Sequence, residues 1–278
     1  MKHQKSKRYL FYFIGITLIS GWLGVAVDHI LTEQPEGNSL GMGVWLILPF
    51  LSAIIFRAKE HDWKSFGIAL NLKSNCKWYI LSIFIYPIIT AITLSLALIF
   101  NCAEFSNSVW NTFLPLALLY VLSSFIKNIF EEFAWRGYLT PKLMEQGLND
   151  WMLYGVSGLI WGLWHTAYYI VFLPDTYFQA ISRLGMVFAG CVLMIAWSIL
   201  FVEIYRVTYS VWPCVILHAM EDAVPTALVT NSRFVKLTTV GEIFFNPITG
   251  IVAAVIIISV GLFIRKKRIF HEMKHGSK

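Results

Sequence analysis

Two adjacent carboxylates, Glu131 and Glu132, stand in the stretch SSFIKNIFEEFAWRGYL, at the end of a long apolar run. An ionisable group inside such a run is expensive to bury, so each one is a candidate for chemistry. On a helix, Ser124, Lys127, Asn128, Glu131 and Glu132 fall on one face. Glu132 and Arg136 are spaced to pair across one turn, which leaves Glu131 available as a general base. The plainer reading of the stripe is salt-bridged packing, with Lys127 neutralising Glu131.

Of the seven histidines, His3, His29, His61, His271 and His275 lie in polar segments or near the end of an apolar one. His165 and His218 lie well inside apolar runs. Trp161 and Ser157 precede His165 by one and two helical turns, and His218 shares a face with Asp222. A lone histidine on an apolar helix is usually a satisfied core residue; two, with a glutamate pair and Asp222, point to a site. Two chemistries suit the set. Glu131 with His165 can take a proton from water while His218 and Asp222 support an oxyanion. Alternatively, Glu131, His165, His218 and Asp222 can act as ligands in a zinc-type set with an open position for water. The expected cofactor is therefore none or zinc.

The elements that position these groups are apolar helices. The chain has 278 residues, 57% hydrophobic and 14% charged, where soluble domains average about 25% charged. Apolar runs over roughly 9–28, 40–56, 78–101, 113–135, 151–173, 184–204, 209–228 and 243–264 predict an all-α polytopic membrane protein of about eight transmembrane helices. Residues 57–77, with Trp63, Phe66, Ile68 and Leu70 among charges, predict a loop on the membrane surface. At 1.5 Å per residue, Glu131 lies ~14 Å from position 140, His165 ~21 Å from 151 and His218 ~14 Å from 209. These depths put all three in the inner half of the bilayer, where one cavity could collect them.

Lys and Arg concentrate in the N-terminal segment, in the loop after the second run and at Arg265–Arg268. The loops DHILTEQPEGNS, NCAEFSNSVWN and LPDTYFQ carry none, although the last expected outer loop has Arg233 and Lys236. The positive-inside rule then puts both termini in the cytoplasm and requires an even number of spans. The first run is longer than a signal-peptide core, with no clean A-x-A site after it, and is expected to stay as a span. The net charge of +6 is explained by orientation rather than by nucleic acid. Cys76, Cys102, Cys191 and Cys214 have no CxxC spacing and point to neither a zinc cluster nor a disulfide framework.

Glu131-Glu132-Phe-Ala-Trp-Arg136, then Trp161 four residues before His165, then His218 four before Asp222, resembles the CPBP family. These are the CAAX prenyl endopeptidases and their bacterial relatives, also called Abi proteins. The resemblance implies a conical core of helices around a buried Glu/His cavity. It divides one membrane domain into peripheral helices (1–112), a catalytic core (113–228) and a C-terminal helix with a basic tail (229–278). It further implies intramembrane peptidase activity, with Glu131 and His165 as base, His218 and Asp222 supporting the oxyanion, and Glu132 and Arg136 in support. Two positions depart from the family pattern: Trp161 stands where phenylalanine is commonest, and Asp222 where the prenyl proteases have asparagine.

The expected partners are a peptide or membrane-protein substrate and the lipid bilayer, in the plasma membrane of a bacterium. The competing function is a non-catalytic immunity or scaffold protein of the Abi type, protecting against a bacteriocin. A transporter is disfavoured by the lack of inverted repeats or paired broken helices. Reporter fusions to the two ends of the chain are expected to give cytoplasmic signals at both; opposite signals would overturn the predicted topology.

Overall fold

The computed structural model describes residues 2–31, 33–35, 38–178, 181–230 and 233–275. The protein is an all-α polytopic membrane protein. Its helices are α1 Lys2–Ile30, α2 Leu40–Glu60, α3 Leu72–Ile99, α4 Phe113–Ala134, α5 Thr140–Glu145, α6 Asp150–Trp164, α7 Arg183–Thr208, α8 Trp212–Val229, α9 Thr239–Phe245 and α10 Ile251–His275. Two three-residue strands, β1 Ala103–Phe105 and β2 Val235–Leu237, pair antiparallel with Glu104 opposite Lys236. The expected outer loops run partly through residues 32, 36, 37 and 179, and the basic tail through 276–278, all outside the described residues.

Among the described residues, five helical stretches are long and apolar enough to cross a membrane: Ser6–Ile30, Leu40–Glu60, Leu72–Ile99, Trp110–Glu145 and Arg183–Thr208. The other three expected spans are helical but differ from the sequence reading. α6 has only 15 residues and stops at His165. α8 has 18 and carries His218, Glu221 and Asp222. The last begins as the short α9, and α10 starts at Ile251, only 14 residues before the basic run at Arg265. In the surface loop, Trp63, Ile68 and Leu70 are exposed and Phe66 is buried. Residues 72–77 are the start of α3 rather than loop, because the chain turns at Asn71 in the left-handed region (φ 49°) and helix follows at once.

The helices show the two-faced pattern that lipid demands. On α4, Leu114, Leu118, Leu122 and Ile126 form an exposed apolar stripe at four-residue spacing, while Asn128, Glu131 and Glu132 are buried.

The chain divides into two compact units. The first comprises residues 1–68 and 130–198. Within it, helices meet through glycine. A Cβ on Gly24 would lie 2.2 Å from the Gly41 carbonyl oxygen, so α1 and α2 touch backbone to backbone. Gly158 and Gly162 do the same for α6 against α7, where added Cβ atoms would lie 2.4 Å and 2.6 Å from the Cα atoms of Ile195 and Cys191. Small residues four apart are a common device for close helix packing in membranes, where lipid gives no hydrophobic drive to associate. The second unit comprises residues 69–129 and 199–278. There α3 packs on α8, and the buried Asn75 donates to the Thr208 carbonyl (3.0 Å). Glu203 on α7 is held by Arg268 on α10 through two bonds of 2.7 and 3.0 Å.

A charged cluster ties the surface loop to the end of the Glu131 helix, within the first unit. Arg57, fully buried, donates to Asp62, to Ser65 Oγ (2.8 Å) and to the Gly137 carbonyl (2.6 Å). Lys142 contacts Asp62 (2.9 Å), Glu145 (3.1 Å) and Glu60 (3.2 Å). Burial works to raise the Asp62 pKa, but the Lys142 hydrogen bond and the Arg57 charge outweigh it and hold the carboxyl below its usual value. Removing one partner of such a cluster strands the others. Arg57→Ala is expected to cost about 3–5 kcal/mol, measured by unfolding in detergent micelles; a loss near zero would show that the cluster does not hold the loop.

Candidate active site

α4 does not end cleanly. After Ala134 the chain passes through a π-helical turn, Trp135–Leu139, into α5. Such wide turns interrupt the regular backbone pattern and are frequent at functional sites. Here the Gly137 carbonyl receives the Arg57 guanidinium, and a Cβ at Gly137 would lie 3.0 Å from the Phe66 ring, so glycine leaves that ring room to pack on the turn. The turn therefore sits on a charged anchor and an aromatic side chain that the loop supplies.

Glu131 and Glu132 lie just before this turn and are both buried. Arg136 Nη1 donates to Glu132 Oε1 at 3.1 Å, with both side chains fully buried, so the one-turn pairing expected from spacing is present. The guanidinium also lies over the Trp161 ring, 4.4 Å from its centroid. A planar cation serves both partners at once, in plane to the carboxylate and by its face to the indole. Arg136 thus links the glutamate motif to the second motif, whose tryptophan replaces the commoner phenylalanine.

Trp161 in turn orients His165. Its carbonyl oxygen lies 2.9 Å from His165 Nδ1. A carbonyl only accepts, so Nδ1 carries the proton and Nε2 presents a lone pair when the ring is neutral. His165 stands where α6 stops; a π-helical turn, Tyr168–Phe172, follows instead of regular helix. Arg183 caps that turn by donating to the Tyr169 (2.9 Å) and Ile170 (3.0 Å) carbonyls. Aromatic rings frame the imidazole: Trp164 at 4.7 Å, Trp45 at 5.6 Å and Tyr169, stacked, at 5.6 Å. The frame is itself tied down, with Trp45 donating to the Trp164 carbonyl and Trp164 to Ser20 Oγ, each at 3.1 Å.

The second unit holds the third motif. His218 and Glu221 are buried on α8, and Phe201 meets the His218 ring edge-on at 5.6 Å. Asp222 Oδ2 takes a hydrogen bond from Asn128 Nδ2 (2.7 Å) and an ion pair from Lys127 Nζ (2.8 Å). Both donors belong to the polar stripe that spacing had placed on one face of α4. The reading that assigned Lys127 to Glu131 overlooked this partner. Glu221 was also missed, although its place one turn from His218 and next to Asp222 was a usable signal. Glu203 and Arg57, buried in apolar helices, were missed likewise.

His218, Glu221 and Asp222 offer ligand atoms within 4.8 Å of one another. Their types suit zinc. Their surroundings do not suit it, because Asp222 Oδ2 already bonds an ammonium group at 2.8 Å, and a dication there would meet a like charge.

The site belongs to a membrane protein whose Glu-Glu-x-x-x-Arg and His motifs lie on apolar helices. Residues 111–224, which contain all of these motifs, match the type II CAAX prenyl endopeptidase Rce1-like family model. The segment that carries the three motifs is thus similar to that group of CAAX prenyl endopeptidases. No curated protein matches it.

The Glu132–Arg136 pair has a stability signature. Arg136→Leu should cost about 3–5 kcal/mol by leaving a buried carboxylate uncompensated, and adding Glu132→Leu should recover most of that loss. Unfolding of both variants in detergent measures this; equal losses would mean the pair is not a coupled unit.

Proposed function

We propose that the protein is a membrane endopeptidase in which Glu131 activates a water molecule for attack on a peptide bond, without a metal. The observation that carries this is the buried position of Glu131 beside the Glu132–Arg136 pair, just before the π-helical turn Trp135–Leu139. His165 assists, because its donated Nδ1 proton leaves Nε2 as the acceptor for a proton from water.

In the first step Glu131 takes a proton from water and the hydroxide adds to the scissile carbonyl carbon. The carbonyl electron pair moves to oxygen, giving a tetrahedral oxyanion. Collapse then breaks the C–N bond as the proton held by Glu131 passes to the leaving nitrogen. Arg136 and Glu132 hold the helix turn in register. The Lys127 ammonium on Asp222 supports the metal-free reading.

The substrate is a peptide or a membrane-protein tail reached from the cytoplasmic half of a bacterial plasma membrane, with both termini of the enzyme on that side. The test uses proteoliposomes and a pool of internally quenched peptides, half of them farnesylated at cysteine, read by fluorescence and mass spectrometry. Wild type is expected to cleave a subset and to keep doing so with 1,10-phenanthroline. Glu131→Gln keeps the shape and should cut turnover by at least ~100-fold, the low end for losing a general base. Cleavage retained in Glu131→Gln overturns the mechanism; loss of wild-type cleavage on chelation overturns its metal-free form.

A further inference from the structure

We infer that the end of α2 and the loop after it form a binding surface for the headgroups of anionic phospholipids, and that bound lipid steadies the π-helical turn that follows Glu131 and Glu132. Lys59 and Lys64 supply the positive charge, and Trp63 and Ile68 the groups that enter the acyl boundary. All of these residues lie in the first unit. The inference holds whatever reaction the site performs.

The start of α1 and the end of α2 lie at one level. The Tyr9 and Phe56 rings stack at 5.3 Å, and Ser6 Oγ donates to Glu145 (3.3 Å), which shares Lys142 with Glu60 and Asp62. Ser6 opens one membrane-crossing stretch and Glu60 closes another, so the residues just beyond Glu60 stand at headgroup depth. α2 stops there because His61 takes the left-handed conformation (φ 51°), and the chain turns into a short 3-10 helix, Lys64–Phe66. Phe66 goes inward and is buried, while Trp63 is 43% exposed and Ile68 53%. An indole and a branched aliphatic chain at that depth are favoured against lipid rather than water.

Charge selects an anionic headgroup. The carboxylates around this loop already have cations: Asp62 has Arg57 and Lys142, and Glu60 and Glu145 have Lys142. Lys59 and Lys64 are exposed, and among the described residues neither makes an ion pair. Lys7 and Arg8, exposed on α1, add to the positive surface. An ammonium binds phosphate as a point charge, and each lysine near an anionic leaflet strengthens attachment roughly fivefold. The surface is also preformed. Arg57 donates to Asp62 and to Ser65 Oγ (2.8 Å), so the loop has its shape before lipid arrives and little ordering opposes binding. Arg57 also bonds the Gly137 carbonyl (2.6 Å), and Phe66 packs on Gly137 and, at 5.1 Å, on Phe133. A headgroup that holds the loop therefore holds the turn, and with it the helix end that carries the two glutamates.

The test takes the full chain in nanodiscs of phosphatidylcholine, with and without phosphatidylglycerol, and reads amide hydrogen exchange over residues 135–145. A fluorescent phosphatidylglycerol titrated into detergent-solubilised protein gives the affinity. Phosphatidylglycerol should slow exchange over the turn, and added salt should reverse the slowing. Lys59→Gln/Lys64→Gln should weaken lipid binding roughly 25-fold and abolish the slowing, at an unchanged unfolding temperature without lipid. Lys59→Arg/Lys64→Arg keeps the charge and should bind as wild type does. Trp63→Ala should weaken binding while leaving its salt dependence in place. Binding of phosphatidylglycerol by the glutamine variant at wild-type affinity overturns the inference, as does equal slowing in phosphatidylcholine alone. Displacement of the labelled lipid by equimolar inorganic phosphate also overturns it, since the site would then read a phosphate and not a lipid surface. Lipid binding that depends on both lysines but leaves exchange over 135–145 unaltered overturns the coupling to the turn.

Discussion

Charge that is buried among apolar helices must be compensated within the protein, because neither lipid nor a dry interior can solvate it. The organisation of this molecule follows from that constraint. Glu132 has Arg136, Asp222 has Lys127, Glu203 has Arg268, and Arg57 has Asp62. Glu132–Arg136 and Arg57–Asp62 close locally, whereas Asp222–Lys127 and Glu203–Arg268 join helices far apart in the chain that would otherwise have only dispersion forces and close backbone contact to hold them. An ion pair of this kind contributes little net stability compared with a well-packed apolar pair, but losing one member is costly, so it specifies which helix meets which.

Close backbone approach supplies the complementary half of the packing. Gly158 and Gly162 let α6 lie directly on α7, and α6 is the helix that ends at His165. The histidine ring is then surrounded by Trp45, Trp164 and Tyr169, whose rings fill the space that a broken helix leaves. Rigid aromatic walls fix the imidazole. The contact of Nδ1 with the Trp161 carbonyl selects the tautomer.

Both motif helices give way to π-helical turns at the point of interest, Trp135–Leu139 after the glutamates and Tyr168–Phe172 after His165. In each case an arginine from outside the turn fills backbone acceptors: Arg57 at Gly137, Arg183 at Tyr169 and Ile170. Irregular backbone at membrane depth is tolerated only where protein groups satisfy it. The arginines therefore do for the backbone what the ion pairs do for the carboxylates, and they couple the surface loop around Phe66 to the glutamate motif.

The apolar runs alone determined that the chain is helical and membrane-embedded, because a continuous apolar run of that length satisfies its backbone hydrogen bonds in lipid as a helix, whereas a barrel strand alternates apolar and polar residues. The 3.6-residue period also determined the Glu132–Arg136 pair and the shared face of Asn128 and Glu131, since groups three or four apart meet whatever the rest of the fold does. What lies beyond one turn was not legible. Asp222 finds Asn128 across 94 residues, Arg57 finds Gly137 across 80, and Glu203 finds Arg268 across 65. Nor did hydropathy show that α6 stops at His165 or that α10 starts only at Ile251, because a composition window averages over the break where a turn is capped from elsewhere. Periodicity reads contacts along one helix; contacts between helices depend on packing angle and depth, and those only the tertiary structure decides.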